Sequence, residues 1–382
     1  MIKRAQHSGA RARWNHEVRA PRCARHTTAA WLTLLITTGL GAQPAQPRLQ
    51  NAKLETRAVQ GSLSATFQGI VGSQSAPAWI AYAAPMIPGE RQMCCWNTRN
   101  DVTCQGCSLE PQPTGTPAFP NQPAAAVRLE GAPEFFLFYR VEGKQVGKIR
   151  QFSMDCNIDA GGLSVFWLTG VNAAESVALL ESLMPATDFR EDRRLADNAL
   201  SAIALHKDPA ADAALDRNVV ASKPEQVRRQ AAFWLGNARG QHGYQTLTRL
   251  LRDDPSEAVR DHAITALAQS KEPGAITTIL AAAHDDKSPK VRGQALFWLA
   301  QRAEARISED AIRRAIEQDP ETQVKKRAVF ALTQIPNGEG VPMLIDVART
   351  HKNDAVRKEA MQWLGRSKDS RALKFFEDVL SK

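Results

Sequence analysis

Val291-Arg292-Gly293-Gln294-Ala295-Leu296-Phe297-Trp298-Leu299 is one of five copies of a single pattern, and that pattern decides the fold. A valine followed by a basic residue recurs at Val227-Arg228, Val259-Arg260, Val291-Arg292, Val324-Lys325 and Val356-Arg357, a repeat period of about 32 residues. Only the step from Val291 to Val324 is longer, by a single position. Four positions after each valine stands alanine (Ala231, Ala263, Ala295, Ala328, Ala360), and eight after it stands leucine (Leu235, Leu267, Leu299, Leu332, Leu364). Offsets 0, 4, 7 and 8 share one face of a helix with about 3.6 residues per turn, so they form the buried stripe of a helix repeated in every unit. A degenerate earlier copy fits the frame at Leu195, Ala199 and Ile203, which makes six units.

Each unit holds a second helix. Twenty positions after the anchor stand Leu215, Leu247, Ile279, Ala311, Leu344 and Phe376. Asp253-Asp254-Pro255, Asp285-Asp286 and Asp319-Pro320 fall in the turns between units, where Asp can cap the next helix and Pro is tolerated near its start. Over residues 190–382 the pattern resembles the short HEAT-like repeats of phycobilisome lyase subunits and of many bacterial scaffolds. The resemblance implies an α-solenoid of six stacked helix pairs, but no particular activity, because function is grafted onto such folds.

Within the repeats, the basic residue after each valine reads as one rung of a structural ladder of ion pairs with the inter-repeat aspartates. Trp234, Trp298 and Trp363 at offset 7 alternate with Ala266 and Ala331, large beside small, and read as core packing. Phe233, Phe297 and Phe330 at offset 6 lie toward the polar side of the same helices, where other units carry Thr265 and Gln362. They are read either as lateral packing against a neighbouring unit or as an exposed patch for a protein partner.

The period changes in the N-terminal half. Leu63, Ala65 and Phe67 alternate with polar residues, residues 135–141 are a dense β-forming run, and Glu142-Gly143-Lys144 supplies a turn before a second run at 146–156. Residues 163–168 read as a further strand. The expected plan is a polar linker over 43–58, a small β-rich cysteine-containing domain over 59–170 with a Pro-rich loop at 111–123, a connecting helix within 171–189, and the solenoid over 190–382. The sheet's open edges need cover, and the first helix pair is the natural candidate.

Lys3, Arg4, Arg11, Arg13, Arg19, Arg22 and Arg25 face only Glu17 between Met1 and His26, so most of the net charge of +9 sits in the leader. What remains is too small for a broad phosphate-binding field, and nucleic acid is not an expected partner. An uncharged run at 27–40 follows, then Gly41-Ala42-Gln43 with small residues suited to cleavage. Residues 1–42 therefore read as a signal peptide and the mature chain as exported, periplasmic or extracellular, without membrane insertion.

Export implies an oxidising compartment for Cys94, Cys95, Cys104, Cys107 and Cys156, all disulfide candidates. Four of these thiols crowd into the stretch from Cys94 to Cys107, so a zinc site or a redox-active C-x-x-C stays open beside disulfides. Asp155, Asn157 and Asp159 alternate as in a calcium loop, yet Ala160 and Phe166 stand where glycine and glutamate belong, so an Asx turn before Gly161-Gly162 is the preferred reading.

His206, His242, His262, His284 and His351 are scattered singly and read as solvated. No histidine after the leader is followed by glutamate, which removes the His-Glu pairs of HEAT-like deoxyhypusine hydroxylases, and no G-x-S-x-G or phosphate-cradling glycine loop is present. The expectation is a non-catalytic scaffold without a cofactor, binding a protein partner near Phe233, Phe297 and Phe330. Two alternatives are kept: a chromophore-attaching role that the resemblance to phycobilin lyases implies, and a redox or metal-sensing envelope module built on the cysteines.

Overall fold

The computed structural model describes residues 46–89, 93, 106–111, 133–184 and 190–381. The signal-peptide reading, the Pro-rich loop over 112–123, and Cys94, Cys95 and Cys104 fall outside them.

Sequence alternation becomes a sheet with two different faces. In order β2-β8-β3-β5-β6, the five-stranded sheet is built from β2 (Lys53–Ala58), β8 (Ser164–Thr169), β3 (Ala78–Pro85), β5 (Glu134–Glu142) and β6 (Gln145–Ser153). The β5–β6 hairpin closes through Gly143 and Lys144, both at positive φ (57° and 62°), the two-residue geometry whose twist matches the strands. Along β5, Phe135, Leu137, Tyr139 and Val141 point into one core and Phe136 and Phe138 into another, as a period of two requires. The second core is covered by a small parallel sheet, β1 (Arg48–Gln50), β7 (Asn157–Asp159) and β4 (Gly106–Ser108).

Two expectations are corrected here. The linker expected at 43–58 is largely strand, since β1 and β2 both lie in it and β2 pairs with β8 along its whole length. The alternation at Leu63, Ala65 and Phe67 is not a strand but the start of α1 (Leu63–Ser73). Ser62 caps it, its side chain accepting from Ala65 N, and Leu63, Phe67, Ile70 and Val71 bury one helical stripe. Three alternating residues fit either period, and the cap with the following turn decides for the helix.

After α2 (Ala173–Ser182) the chain forms six helix pairs: α3 (Arg190–Leu205) with α4 (Pro209–Asn218), α5 (Glu225–Ala238) with α6 (Gly240–Asp253), α7 (Glu257–Gln269) with α8 (Ala275–Asp285), α9 (Pro289–Arg302) with α10 (Ala305–Gln318), α11 (Thr322–Leu332) with α12 (Val341–Thr350), and α13 (Asp354–Arg366) with α14 (Ser370–Leu380). The expected anchors Val259, Val291, Val324 and Val356 are buried, as are all five alanines and all five leucines of the stripe. This is an α-solenoid preceded by a β-rich, cysteine-containing region.

The aspartates of the turns act otherwise than as helix starters. Asp254, Asp286 and Asp319 are C-cap residues of the preceding helices, and each carboxylate accepts from the backbone N–H two residues on, at 2.7 to 2.9 Å. The N-caps proper include Ser256 and Ser288. Those same carboxylates take the repeated arginines: Arg228 Nη2 donates to Asp254 at 3.2 Å, and Arg260 and Arg292 grip Asp286 and Asp319 respectively with two nitrogens each. The ladder read from sequence is therefore present at three of its five rungs, with those side chains buried, whereas Lys325 bonds backbone carbonyls and Arg357 pairs within its own helix.

The solenoid does not hang free of the sheet. The described residues all belong to one compact unit. Helix α3 packs on edge strand β6, covering it. Lys207 N donates to Pro85 O and Ile87 N to Leu205 O, both at 2.9 Å, so the strand end of β3 is stitched to the end of α3. A single apolar cluster runs from α1 and the sheet through all six helix pairs.

Candidate partner-binding surface

First helices stack side by side, so equal offsets in neighbouring repeats face each other across about one helix spacing. Offset 6 therefore brings rings together only where adjacent repeats both carry one. Phe297 and Phe330 do, and lie parallel with centroids 6.0 Å apart; Phe330 in turn meets Trp363 at 4.9 Å. Phe233 is separated from them by Thr265 and packs edge-on against Trp234. Of the three phenylalanines singled out in the sequence, two join one surface ridge and the third stands apart, and all three are half-buried.

The tryptophans expected in the core sit at its margin. Trp234, Trp298 and Trp363 are half-buried, packing one edge on the core while Ala266 and Ala331 between them are fully buried. Trp298 Nε1 donates to Thr265 Oγ1 at 3.3 Å and Trp363 Nε1 to Glu359 Oε1 at 3.0 Å. An indole with a polar edge is more stable where that edge finds a partner, which holds Trp298 and Trp363 at the surface; the Trp234 Nε1 is buried without one. Phe297, Phe330, Trp298 and Trp363 thus make one half-exposed aromatic ridge across three repeats.

Basic side chains flank it. Arg366 lies over the Trp363 ring, 5.1 Å from its centroid. Arg327 lies across α9 at Gly293: a Cβ there would come within 2.7 Å of Arg327 Cδ, so only glycine leaves room for the arginine stem. Near Phe233, the Arg229 guanidinium bonds the His262 ring at 3.3 Å. Burial and that neighbouring cation hold His262 below its ordinary pKa.

On the opposite helices, a groove of about 580 Å³ opens between α8 and α10, with Leu280 and Ile307 exposed at its mouth. His284 there accepts from Arg314 at Nε2 (2.7 Å) and pairs through Nδ1 with Asp285. Asp285, Asp286, Asp310 and Asp319 line this groove together with Arg292 and Arg314.

The histidines are not the solvated, isolated groups expected. His242 faces Asp216 at 3.1 Å, and His351 donates from Nε2 to Ile316 O at 3.1 Å. His206 is fully buried where sheet meets solenoid. Its Nδ1 can only donate to Ala202 O (2.8 Å), so Nε2 accepts from Ser176 Oγ (2.8 Å). Ser176 then accepts from Tyr82 (2.7 Å), and Tyr82 from Tyr139 (2.6 Å). Every proton in this chain is fixed by the carbonyl at its end. Burial drives His206 down to about 4 and both tyrosines well up, so all four groups are neutral near pH 7.

In the β-rich region, Cys107 and Cys156 are disulfide-bonded. Asp159 Oδ1 accepts from Gly161 N at 2.8 Å, the Asx turn expected ahead of the glycine pair. Among the described residues no three His, Cys, Asp or Glu side chains converge as metal ligands, and no helix is long and apolar enough to cross a membrane.

The comparisons bear on the repeats. No curated protein matches the sequence significantly. Similar solved structures include the CpcE–CpcF complex of phycocyanin lyase from Nostoc sp. PCC7120, at 21% identity over 41% of this chain and 98% of that one, with a TM-score of 0.31. YibA of Escherichia coli is 24% identical over 54% and 76%, with a TM-score of 0.36. Human deoxyhypusine hydroxylase is 14% identical over 53% and 85%, with a TM-score of 0.27. A family model of HEAT repeats matches residues 217–300 and 309–382. The C-terminal region of this chain is a HEAT-repeat region.

Proposed function

We propose that the chain is an exported, non-catalytic scaffold that binds a protein partner through the first-helix face, with the ridge of Phe297 and Phe330 at its centre and Phe233 beyond Thr265, outside the ridge. The observation that carries this reading is the half-exposed stack Phe297–Phe330–Trp363, continuous across three repeats. Rings held rigidly at a surface lose little conformational freedom when a partner covers them, which is why aromatic anchors dominate binding energy. The polar rim is supplied by Gln294, Gln362 and the flanking arginines.

Replacing Phe233, Phe297 and Phe330 together by serine tests it. Each stacked contact contributes about 0.5 to 1.5 kcal/mol, so the solenoid should keep a cooperative melt while losing its partner from envelope extracts. A variant that unfolds assigns the rings to packing between repeats; one that folds and still binds places the site elsewhere. Export rests on the basic leader and the uncharged run at 27–40. A mature N-terminus near residue 43 in an envelope fraction supports it, and an intact leader in the cytosol overturns it.

A further inference from the structure

We infer that the ridge takes an acidic, aromatic or aliphatic peptide segment, whose carboxylates meet Arg229, Arg327 and Arg366 while its apolar side chains cover Phe297, Phe330 and Trp363. This rests on the reading of the ridge as the partner surface and adds the partner's chemistry.

Committed and uncommitted charges are sorted differently here. Most carboxylates near the ridge are engaged: Glu359 is held by Lys326 at 2.8 Å and by Trp363 Nε1, and Glu257 accepts from Ser288 Oγ and faces Lys290 at 3.8 Å, whereas Asp261 only faces Lys290, at 3.9 Å. Glu225 accepts from Ser256 Oγ at 2.7 Å. The three arginines have no such partner among the described residues. Arg229 sets its guanidinium on the ring of His262, which burial holds below its ordinary pKa, Arg366 sets its own on the face of an indole, and Arg327 lays its aliphatic stem against α9 at Gly293. Asp261, the acid within electrostatic reach of Arg327, stays beyond ion-pair distance, and its Oδ1 is buried without a hydrogen bond.

Other arginines on first helices of the same array are not left so. Arg228, Arg260 and Arg292 each bind a carboxylate. The contrast separates a structural set of arginines, buried and paired with carboxylates, from a surface set with no ion pair among the described residues. A guanidinium fork is matched by a carboxylate; Arg327 and Arg366 have no hydrogen bond of their own to a described side chain, while Arg229, with Nε and Nη2 on His262, has Nη1 left to offer. Nucleic acid also combines phosphate with stacking bases, but the interleaved Glu225, Glu257, Asp261 and Glu359 would repel a continuous phosphate backbone, whereas a peptide can place its acids selectively.

The experiment uses the whole mature chain and two labelled peptides of equal length, one alternating glutamate with phenylalanine and leucine, the other carrying glutamine in place of every glutamate. The acidic peptide should bind at least about tenfold more tightly at low salt, and the advantage should vanish in about 0.5 M salt. R229Q/R327Q/R366Q should abolish that preference with the melt unchanged, whereas F297S/F330S should weaken both peptides. Equal affinity of the two peptides, or no binding of the acidic one, overturns the inference. Loss of preference in the glutamine variant without any effect of F297S/F330S would instead sink the ridge as partner surface. Tighter binding of an oligo-dT strand than of the acidic peptide assigns the surface to single-stranded nucleic acid and also overturns it.

Discussion

Arg260 and Asp286 meet through two hydrogen bonds, Nε to Oδ2 at 2.9 Å and Nη2 to Oδ1 at 3.1 Å, with side chains only 2% and 5% exposed. The third arm of the guanidinium, Nη1, donates to the carbonyl of Asp254 at 3.0 Å, the junction before. One arginine therefore ties two successive inter-repeat turns to each other. Removing it strands a buried carboxylate. Arg260→Ala should cost about 3 to 5 kcal/mol in urea unfolding, and Arg260→Lys, which keeps the charge without the fork, should fall between it and the parent. Equal stability of parent and alanine variant would show that the ladder is ornamental.

His206 makes stability depend on acid. Its folded pKa of about 4 lies below the ordinary 6.5, so the folded state resists the proton that the unfolded chain accepts. The contribution is complete above pH 6.5 and is lost as pH falls toward 4, by about 3 kcal/mol in all. Asp208 favours the charged ring and Arg239 opposes it, and both are smaller effects than burial. His206→Gln, which keeps an acceptor for Ser176, should flatten that part of the profile. Parallel unfolding curves for parent and variant between pH 7 and pH 4 would mean the ring is not held neutral.

The repeat frame was legible because every unit buries the same stripe, so five chances confirm each offset. Even a coupled exception can be read from it. Lys325 stands where the other repeats carry arginine, and in the turn that follows its repeat His351 stands where they carry aspartate. Both departures are explained at once: Lys325 donates to Ile316 O and Glu317 O, and His351 to Ile316 O, so this junction is held through carbonyls instead of an ion pair. The aromatic ridge was half legible. Offset 6 located Phe233, Phe297 and Phe330 alike, but whether rings meet depends on the adjacent repeat, and Thr265 breaks the series. The weld around His206 had no sequence signal. Its members Tyr82 and Tyr139 come from two strands, Ser176 from α2 and His206 from just past the end of α3, and no period relates them.

Leu299 belongs to the buried stripe of the middle one of the five strong repeats and has no exposed surface. Leu299→Ala should cost about 2 to 5 kcal/mol, the transfer loss plus a cavity that two neighbouring helices line. Thermal unfolding followed by circular dichroism reads this directly. A cost below about 1 kcal/mol would indicate that the stripe collapses around the gap, and that repeats slide more freely than their close helix contacts imply.

An isolated 190–382 fragment separates the two sources of solenoid stability. Repeat arrays are held chiefly by nearest-neighbour interfaces, so the fragment should remain helical and melt cooperatively. Its first pair, however, loses the sheet: α3 leaves edge strand β6, the Lys207–Pro85 and Ile87–Leu205 backbone bonds vanish, and His206 Nε2 loses Ser176. Amide exchange should then accelerate strongly over α3 and α4 while α7 and α9, two and three repeats away, keep their protection. Unchanged protection in α3 would mean that the sheet covers the helix without supporting it. Loss of protection throughout would mean that the array depends on its N-terminal partner as a template, and that its stability is not a sum of local terms.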